Sequence, residues 1–207
     1  AILDDRPATR AVRVSINLAM LNQVLHTLWR ASMFDADISG ATFGSGLPSD
    51  LDLSLYANLP PVAVGRSGGD IEIHFGGLRA SIALPSLLDE PITVHLGAKV
   101  RTGVDLIGES ELSFRAITIT DFYFDPISAE VDAGARDALE NFMRRTISEV
   151  LADALGAALP NFPIPSFELP ASVSEFGLPS GAYFGILSPV LTIDPRHLTL
   201  QGNFGIR

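Results

Sequence analysis

The stretch DAGARDALENFMRRTISEVLADALGAAL, residues Asp132–Leu159, decides the fold of this chain. From Ala138 onward its apolar residues recur in adjacent pairs four positions apart, and the charged residues fall between these pairs. Such spacing is typical of an amphipathic α-helix with one continuous apolar stripe. At a rise of about 1.5 Å per residue, the helix would be on the order of 40 Å long before Pro160 ends it. A long helix with one apolar side needs a sheet to cover it.

Composition limits what the chain can bind. Its 207 residues show no glycine-serine tract, repeat or charge run, so we expect a single domain over residues 1–207. The first residues look like the middle of a longer chain, so we expect the domain to be excised from or part of one. A net charge of −10 argues against nucleic acid and against attraction to anionic membranes. The absence of cysteine excludes disulfides and cysteine-ligated metals. The first residues lack the basic start and apolar core of a signal peptide.

A second helix is predicted near the N-terminus. Asn17 can cap a helix over Leu18–Ser32, which follows the short alternating strand Val12–Ile16.

Almost everything else is predicted as strands. Alternating apolar residues mark strands at Leu51–Tyr56 and Ile71–Phe75, and the Gly76-Gly77 pair that follows predicts a tight hairpin turn. Further strands are predicted at Leu78–Leu84, Ile92–Leu106 and Leu112–Phe124, the last with a bulge near Ala116, and at a final hairpin of Val190–Ile193 and Leu198–Leu200.

Hairpin turns between one-sidedly apolar strands indicate an antiparallel sheet. The predicted class is therefore α+β, with a strongly curved antiparallel sheet rolled around the helix Asp132–Leu159 and a second helix over Leu18–Ser32.

Three local patterns have a possible chemical meaning. The sequence Gly65-Arg66-Ser67-Gly68-Gly69 matches a serine nucleophile elbow, but a strand and not a helix is predicted to follow it, which favours a hairpin loop.

Asp35, Asp37 and Ser39 match the first half of a calcium loop, yet Gly46 stands where its bidentate glutamate should be, which favours a polar turn. The four histidines are scattered; His74 and His95 could be neighbours on the polar face of the sheet, but a pair without a third ligand is a poor metal site.

Several phrases of the chain resemble a known family. They are VSINLAMLNQVLHTLWRASMF (Val14–Phe34), NLPPVAVG (Asn58–Gly65), DIEIHFGGLRASI (Asp70–Ile82), LPNFPIPSFELP (Leu159–Pro170) and HLTLQGNF (His197–Phe204). Together they resemble the tubular lipid-binding superfamily, and most of all the C-terminal domain of the bactericidal/permeability-increasing, lipopolysaccharide-binding and cholesteryl-ester transfer proteins. The resemblance covers nearly all of the chain. It implies a curved sheet around a long helix with an elongated apolar pocket between them.

The resemblance also implies a function and a set of pocket residues. Family members bind or transfer lipids without catalysis, so we expect no enzyme and no cofactor other than a bound lipid. It implies a secreted, periplasmic or envelope-associated setting, with a fatty-acyl ligand and with a membrane surface or a second similar domain as further partners. The residues expected to line the pocket are Leu21, Leu25, Leu28, Trp29, Ile73, Phe75, Ile82, Val94, Leu96, Leu139, Phe142, Met143, Val150 and Leu155.

Two alternatives stay open from the sequence. A scaffold of the same fold with a collapsed pocket would bind another protein or a second copy of the domain, and a serine esterase would use Ser67. The antimicrobial members of the family are strongly basic, whereas this chain is acidic, so the resemblance does not carry over neutralisation of lipopolysaccharide by charge.

Overall fold

The described part of the chain forms two helices and two strongly curled antiparallel sheets. The computed structural model describes residues 12–41, 48–66, 68–86, 88–108, 110–115, 117–127, 133–158, 161–164, 166–170, 175, 177 and 183–206. The described elements, in chain order, are β1 (Val12–Asn17), α1 (Leu18–Arg30), β2 (Ala36–Ser39), β3 (Asp52–Ala57), β4 (Val62–Arg66), β5 (Asp70–Ala83), β6 (Ile92–Ile107), β7 (Glu111–Phe114), β8 (Thr118–Pro126), α2 (Ala133–Ala158), β9 (Phe162–Pro163), β10 (Ser166–Glu168), β11 (Tyr183–Ile193) and β12 (His197–Ile206).

The strands form two sheets where the sequence predicts one. The smaller sheet has four strands in the order β1-β12-β11-β10. The larger sheet has eight, in the order β2-β3-β5-β6-β7-β9, with β4 also paired to β5 and β8 also paired to β6. The single-sheet prediction is wrong because β1 pairs with β12, a partner at least 180 positions away that local patterns cannot indicate. The predicted final hairpin is confirmed as β11 and β12.

The predicted turn at Gly76-Gly77 is also wrong. Both glycines lie inside β5, which continues for 14 residues with a register shift between Phe75 and Leu78. A two-residue hairpin needs a positive φ, and neither glycine adopts one. The pair instead forms a bulge where the neighbour of β5 changes from β4 to β3, and Asn58 donates its backbone N–H to the Gly77 carbonyl at 2.8 Å.

The second irregular position falls between β7 and β8. Val104 pairs with Phe114, and Arg101 pairs with Thr118. Three residue positions on β6 therefore lie opposite four positions on the segment from Phe114 to Thr118. One extra residue therefore lies between Phe114 and Thr118, as the predicted bulge requires, although Ala116 itself is outside the described residues.

Helix α1 begins where predicted and ends two residues earlier. The Asn17 side-chain oxygen accepts the Ala19 backbone N–H at 2.9 Å, which satisfies one of the free donors of the first turn. The helix ends at Arg30 and not at Ser32, because Ser32 adopts a left-handed φ of 56° that helical geometry does not allow.

Helix α2 spans Ala133–Ala158, 26 residues, at the predicted place. The predicted end residues Asp132 and Leu159 lie outside the described part of the chain. Among the residues that the structure describes, neither helix is both long and apolar enough to cross a membrane.

Candidate functional site

One side of α2 is buried along its length. Leu139, Met143, Ile147, Leu151 and Leu155 follow one another at intervals of four residues, and the last four are at most 1% exposed. Intervals of four place these side chains on one face of the helix. The exposed positions between them include Asn141, Arg145, Glu149 and Asp153.

The inner faces of the two longest strands meet this side of α2 in one hydrophobic cluster. In β5, Ile71, Ile73 and Phe75 are at most 2% exposed, and the alternate residues of β6 are similarly buried. The Phe75 ring contacts Phe34 edge to face, with 5.4 Å between the ring centroids. Residues of both helices and both sheets belong to this one cluster, which we call the apolar interior.

Helix α1 is fixed against the edge of the larger sheet by three polar contacts. The Asn22 side chain accepts the Ala63 backbone N–H at 2.6 Å and donates to the Ala63 carbonyl at 3.1 Å. The Trp29 indole N–H donates to the carbonyl of Ala57 at 2.5 Å. The two Asn22 contacts cover the backbone edge of β4, the Trp29 contact ties α1 to the end of β3, and between them Leu25 is fully buried in the apolar interior.

All fourteen predicted pocket residues lie in or against the apolar interior. The nine that are buried are Leu25, Ile73, Phe75, Ile82, Val94, Leu96, Leu139, Met143 and Leu155. The five that are half-buried around it are Leu21, Leu28, Trp29, Phe142 and Val150. Their burial agrees with the sequence pattern, while their role in lining a pocket stays a prediction.

Two residues missing from the predicted set belong to the same stripe. Ile147 is 1% exposed and Leu151 is fully buried, between Met143 and Leu155. The spacing of four residues along α2 was the signal that could have included them.

The apolar interior contains no charged side chain among the described residues. Their buried polar residues are Thr102, Thr146, Thr199 and Glu72. The Thr146 hydroxyl donates to the carbonyl of Phe142 in its own helix at 3.2 Å, so its polarity is satisfied locally. Glu72 alternates with the inward-facing Ile71 and Ile73 and therefore lies on the outer face of the sheet.

Glu72 is held by basic groups on that outer face. Its carboxylate accepts a hydrogen bond from the Arg66 guanidinium, contacts the His74 ring nitrogen at 2.6 Å and lies 3.5 Å from the Arg101 guanidinium. The bond from Arg66, followed by that from His74, outweighs burial and lowers the pKa of Glu72 to about 2. This network links β4, β5 and β6 on the side away from the apolar interior.

The nucleophile-elbow motif forms a hairpin loop. Arg66 pairs with Asp70 across the β4–β5 turn, and Gly68 and Gly69 adopt positive φ values of 125° and 92°. A strand follows where an elbow needs a helix, so the esterase context is not met, as the sequence indicated. Ser67 itself lies outside the described residues.

The calcium motif has a structural role. Asp37 and Ser39 lie in β2, and Asp35 accepts the Ala57 backbone N–H at 2.9 Å. Extended backbone cannot wrap an ion as a calcium loop does. Gly46 lies outside the described part of the chain.

The suggested histidine pair does not form. His74 of β5 pairs with Lys99 of β6, and His95 of β6 pairs with Arg79 of β5. His95 is therefore four positions along β6 from the residue that faces His74. Within the described ranges, no group of three acidic, histidine or cysteine residues could hold a metal ion.

Comparisons with known proteins return distant matches among solved structures alone. No family model and no curated protein matches the chain. Among solved structures, it is similar to lipopolysaccharide binding protein, with 14% identity and a TM-score of 0.44 over 95% of this chain and 41% of that one. It is also similar to P47 of Clostridium botulinum E1, with 10% identity and a TM-score of 0.39 over 99% of this chain and 55% of that one.

Lipopolysaccharide binding protein is also one of the proteins that the sequence phrases resemble. The chain spans only about half, or less, of the length of either protein.

Proposed function

We propose that this domain binds or transfers a lipid, without catalysis, in an elongated apolar site between α2 and the curled sheets. The ligand would be a phospholipid or another lipid with acyl chains. Its setting would be secreted, periplasmic or envelope-associated, as the resemblance of the sequence implies.

The observation that carries the proposal is the absence of charge from the apolar interior. The described parts of both helices and both sheets contribute aliphatic and aromatic side chains to one cluster, and the one buried carboxylate lies outside it. Burying an acyl chain in such surroundings leaves no charged or polar side chain of the described residues without its partner. Each CH₂ withdrawn from water contributes about 0.8 kcal/mol to the binding free energy.

A bulky side chain on the inner face of α2 tests the proposal. Ala154 is half-buried and packs against the apolar interior, so in Ala154→Trp the indole would fill space that an acyl chain needs. We expect the lipid recovered from protein purified without detergent, measured by mass spectrometry, to fall by about tenfold, as for a loss of about two CH₂ contacts.

The matched control is Asp153→Trp, one position away and exposed. It introduces the same side chain outside the apolar interior and should leave the recovered lipid unchanged. Equal loading of both variants would place the lipid elsewhere and contradict the proposed site.

A scaffold with a collapsed interior is the second candidate. The observation that favours it is that Met143, Leu151 and Leu155 are fully covered by the protein's own atoms. The same purification separates the two functions, because repeated absence of acyl lipid from the unmodified protein would favour the scaffold.

A further inference from the structure

A group of phenylalanines lies at one end of the smaller sheet. Phe167 of β10, Phe184 of β11 and Phe204 of β12 form a row, which we call the aromatic platform. The ring centroids of Phe167 and Phe184 are 5.2 Å apart, and those of Phe184 and Phe204 are also 5.2 Å apart with their planes 11° from parallel. Phe167 is 58% exposed and Phe204 is 49% exposed.

The aromatic platform continues the inner face of the smaller sheet. Phe167 pairs with Phe184, and Phe204 pairs with Ile186, which is 1% exposed and belongs to the apolar interior. Residues two apart on a strand share a face, so Phe184 and Ile186 point the same way. The described part of β1 pairs with β12 only as far as Gly202, and the platform lies beyond that point.

This end of the face has no charge among the residues that the structure describes. The neighbours of the three phenylalanines on the same face are Ile186 and Ile206. Glu168 pairs with Tyr183, and both are one position out of phase with the platform, so they point to the opposite face. A phenylalanine side chain cannot form a conventional hydrogen bond with water, so its exposure is unfavourable. Contiguous exposed apolar surface usually marks a binding site.

We propose that the aromatic platform docks the protein on the surface of a zwitterionic lipid bilayer. The inference rests on the proposed function, because a lipid carrier must meet the membrane that supplies or receives its ligand. An uncharged aromatic surface inserts among lipid headgroups without needing anionic lipid. The net charge of −10 opposes binding to anionic bilayers, so the chemistry selects a neutral surface.

Vesicle sedimentation tests the docking surface. We compare the unmodified protein with Phe167→Ser/Phe204→Ser on vesicles of phosphatidylcholine and on vesicles of equal parts phosphatidylcholine and phosphatidylglycerol. Withdrawing about half of each phenylalanine from water changes a binding constant by about tenfold, so the double variant should bind phosphatidylcholine vesicles at least about tenfold more weakly. The unmodified protein should bind the anionic vesicles less well than the neutral ones.

The control is Ile107→Ser/Tyr123→Ser, which removes two side chains that are 48% and 61% exposed on the outer face of the larger sheet. It should sediment like the unmodified protein. Equal vesicle binding by all three proteins, or none by the unmodified protein, would overturn the inference. So would light scattering that shows an unmodified dimer and a monomeric platform variant, because a second copy would then cover the platform.

Recovered lipid separates this inference from the proposed function. Acyl lipid in the unmodified protein together with unchanged vesicle binding by the platform variant would sink the docking surface and leave the proposed function standing. Weakened vesicle binding by the variant without any recovered acyl lipid would do the reverse.

Discussion

Glu72 is the one charged side chain that the described part of the protein buries, at 3% exposure. Its partners Arg66 and Arg101 are each about half exposed, with values of 50% and 46%. The carboxylate is therefore covered by the side chains that neutralise it and not by the core. Removing one member of such a network leaves the others less well paired.

The pH dependence of stability follows from this carboxylate. The pKa of Glu72 is lowered from 4.5 to about 2 in the folded protein, so its contribution is complete above pH 4.5 and is lost as the pH falls towards 2. With allowance for solvent around its partners, we expect Glu72→Gln to lower the free energy of unfolding by about 2 kcal/mol at pH 7. Urea unfolding should show this difference shrinking between pH 4.5 and pH 2.

Asp121→Asn provides the comparison. Asp121 is 61% exposed and pairs with Lys99 at 2.8 Å, so Asp121→Asn should lower the free energy of unfolding much less than Glu72→Gln does. A Glu72→Gln effect that stays constant from pH 7 to pH 2 would show that the charge of Glu72 is not what stabilises the fold.

At the scale of elements, the two sheets approach each other closely around Gly65, where a side chain would meet backbone. Gly65 lies in β4 of the larger sheet, and a Cβ at this position would overlap the carbonyl oxygen of Asp194, in the turn between β11 and β12 of the smaller sheet. The same Cβ would lie 3.0 Å from the Leu18 side chain of α1. Beside it, Leu18 donates its backbone N–H to the Arg196 carbonyl at 2.8 Å. Three elements therefore converge where only glycine fits.

In Gly65→Ala, the added methyl group should push β4 away from the β11–β12 turn and from α1. Because the overlap is with backbone, we expect the free energy of unfolding to fall by about 1–3 kcal/mol in urea titrations. Gly76→Ala is the control, since a Cβ there meets nothing within 4 Å, and its effect should stay within about 0.5 kcal/mol. Equal stability of the two variants would mean that the sheets can shift apart freely at this point.

The sequence indicates which residues are buried better than it indicates where the strands bend. Alternation placed Ile73, Phe75 and Ile82 correctly on the inner face, because period-two burial is a local property. It could not show that Gly76-Gly77 forms a bulge, because the bulge depends on contacts of Gly77 with Asn58 and Leu59, which lie in the connection between β3 and β4. For the same reason local patterns could not predict the pairing of β1 with β12, which adds β1 to the final hairpin and makes the smaller sheet separate.

At the scale of the whole molecule, one hydrophobic cluster connects both helices to both sheets. The protein should therefore unfold in one step. Trp29, the single tryptophan, reports on the docking of α1, and far-ultraviolet circular dichroism reports mainly on α2 and the sheets.

Met143→Ala tests this cooperativity. Met143 is fully buried in the middle of α2, so the substitution should lower the free energy of unfolding by about 2–5 kcal/mol. Tryptophan fluorescence and circular dichroism should shift together to the same lower midpoint. A fluorescence midpoint that stays in place while the dichroism midpoint falls would show that α1 and α2 unfold independently.

The pairing of β1 with β12 has a consequence for the order of assembly. Val14 pairs with Leu200, 186 positions further along the chain. By contrast, β5 and β6 are joined by only the eight residues 84–91. Closing the longer loop costs more entropy and slows the step that needs it. During synthesis, β1 must wait on the ribosome until β12 has emerged, while β3 to β8 can already pair. We therefore expect the pairing of β1 with β12 to form after the pairing of β3 to β8.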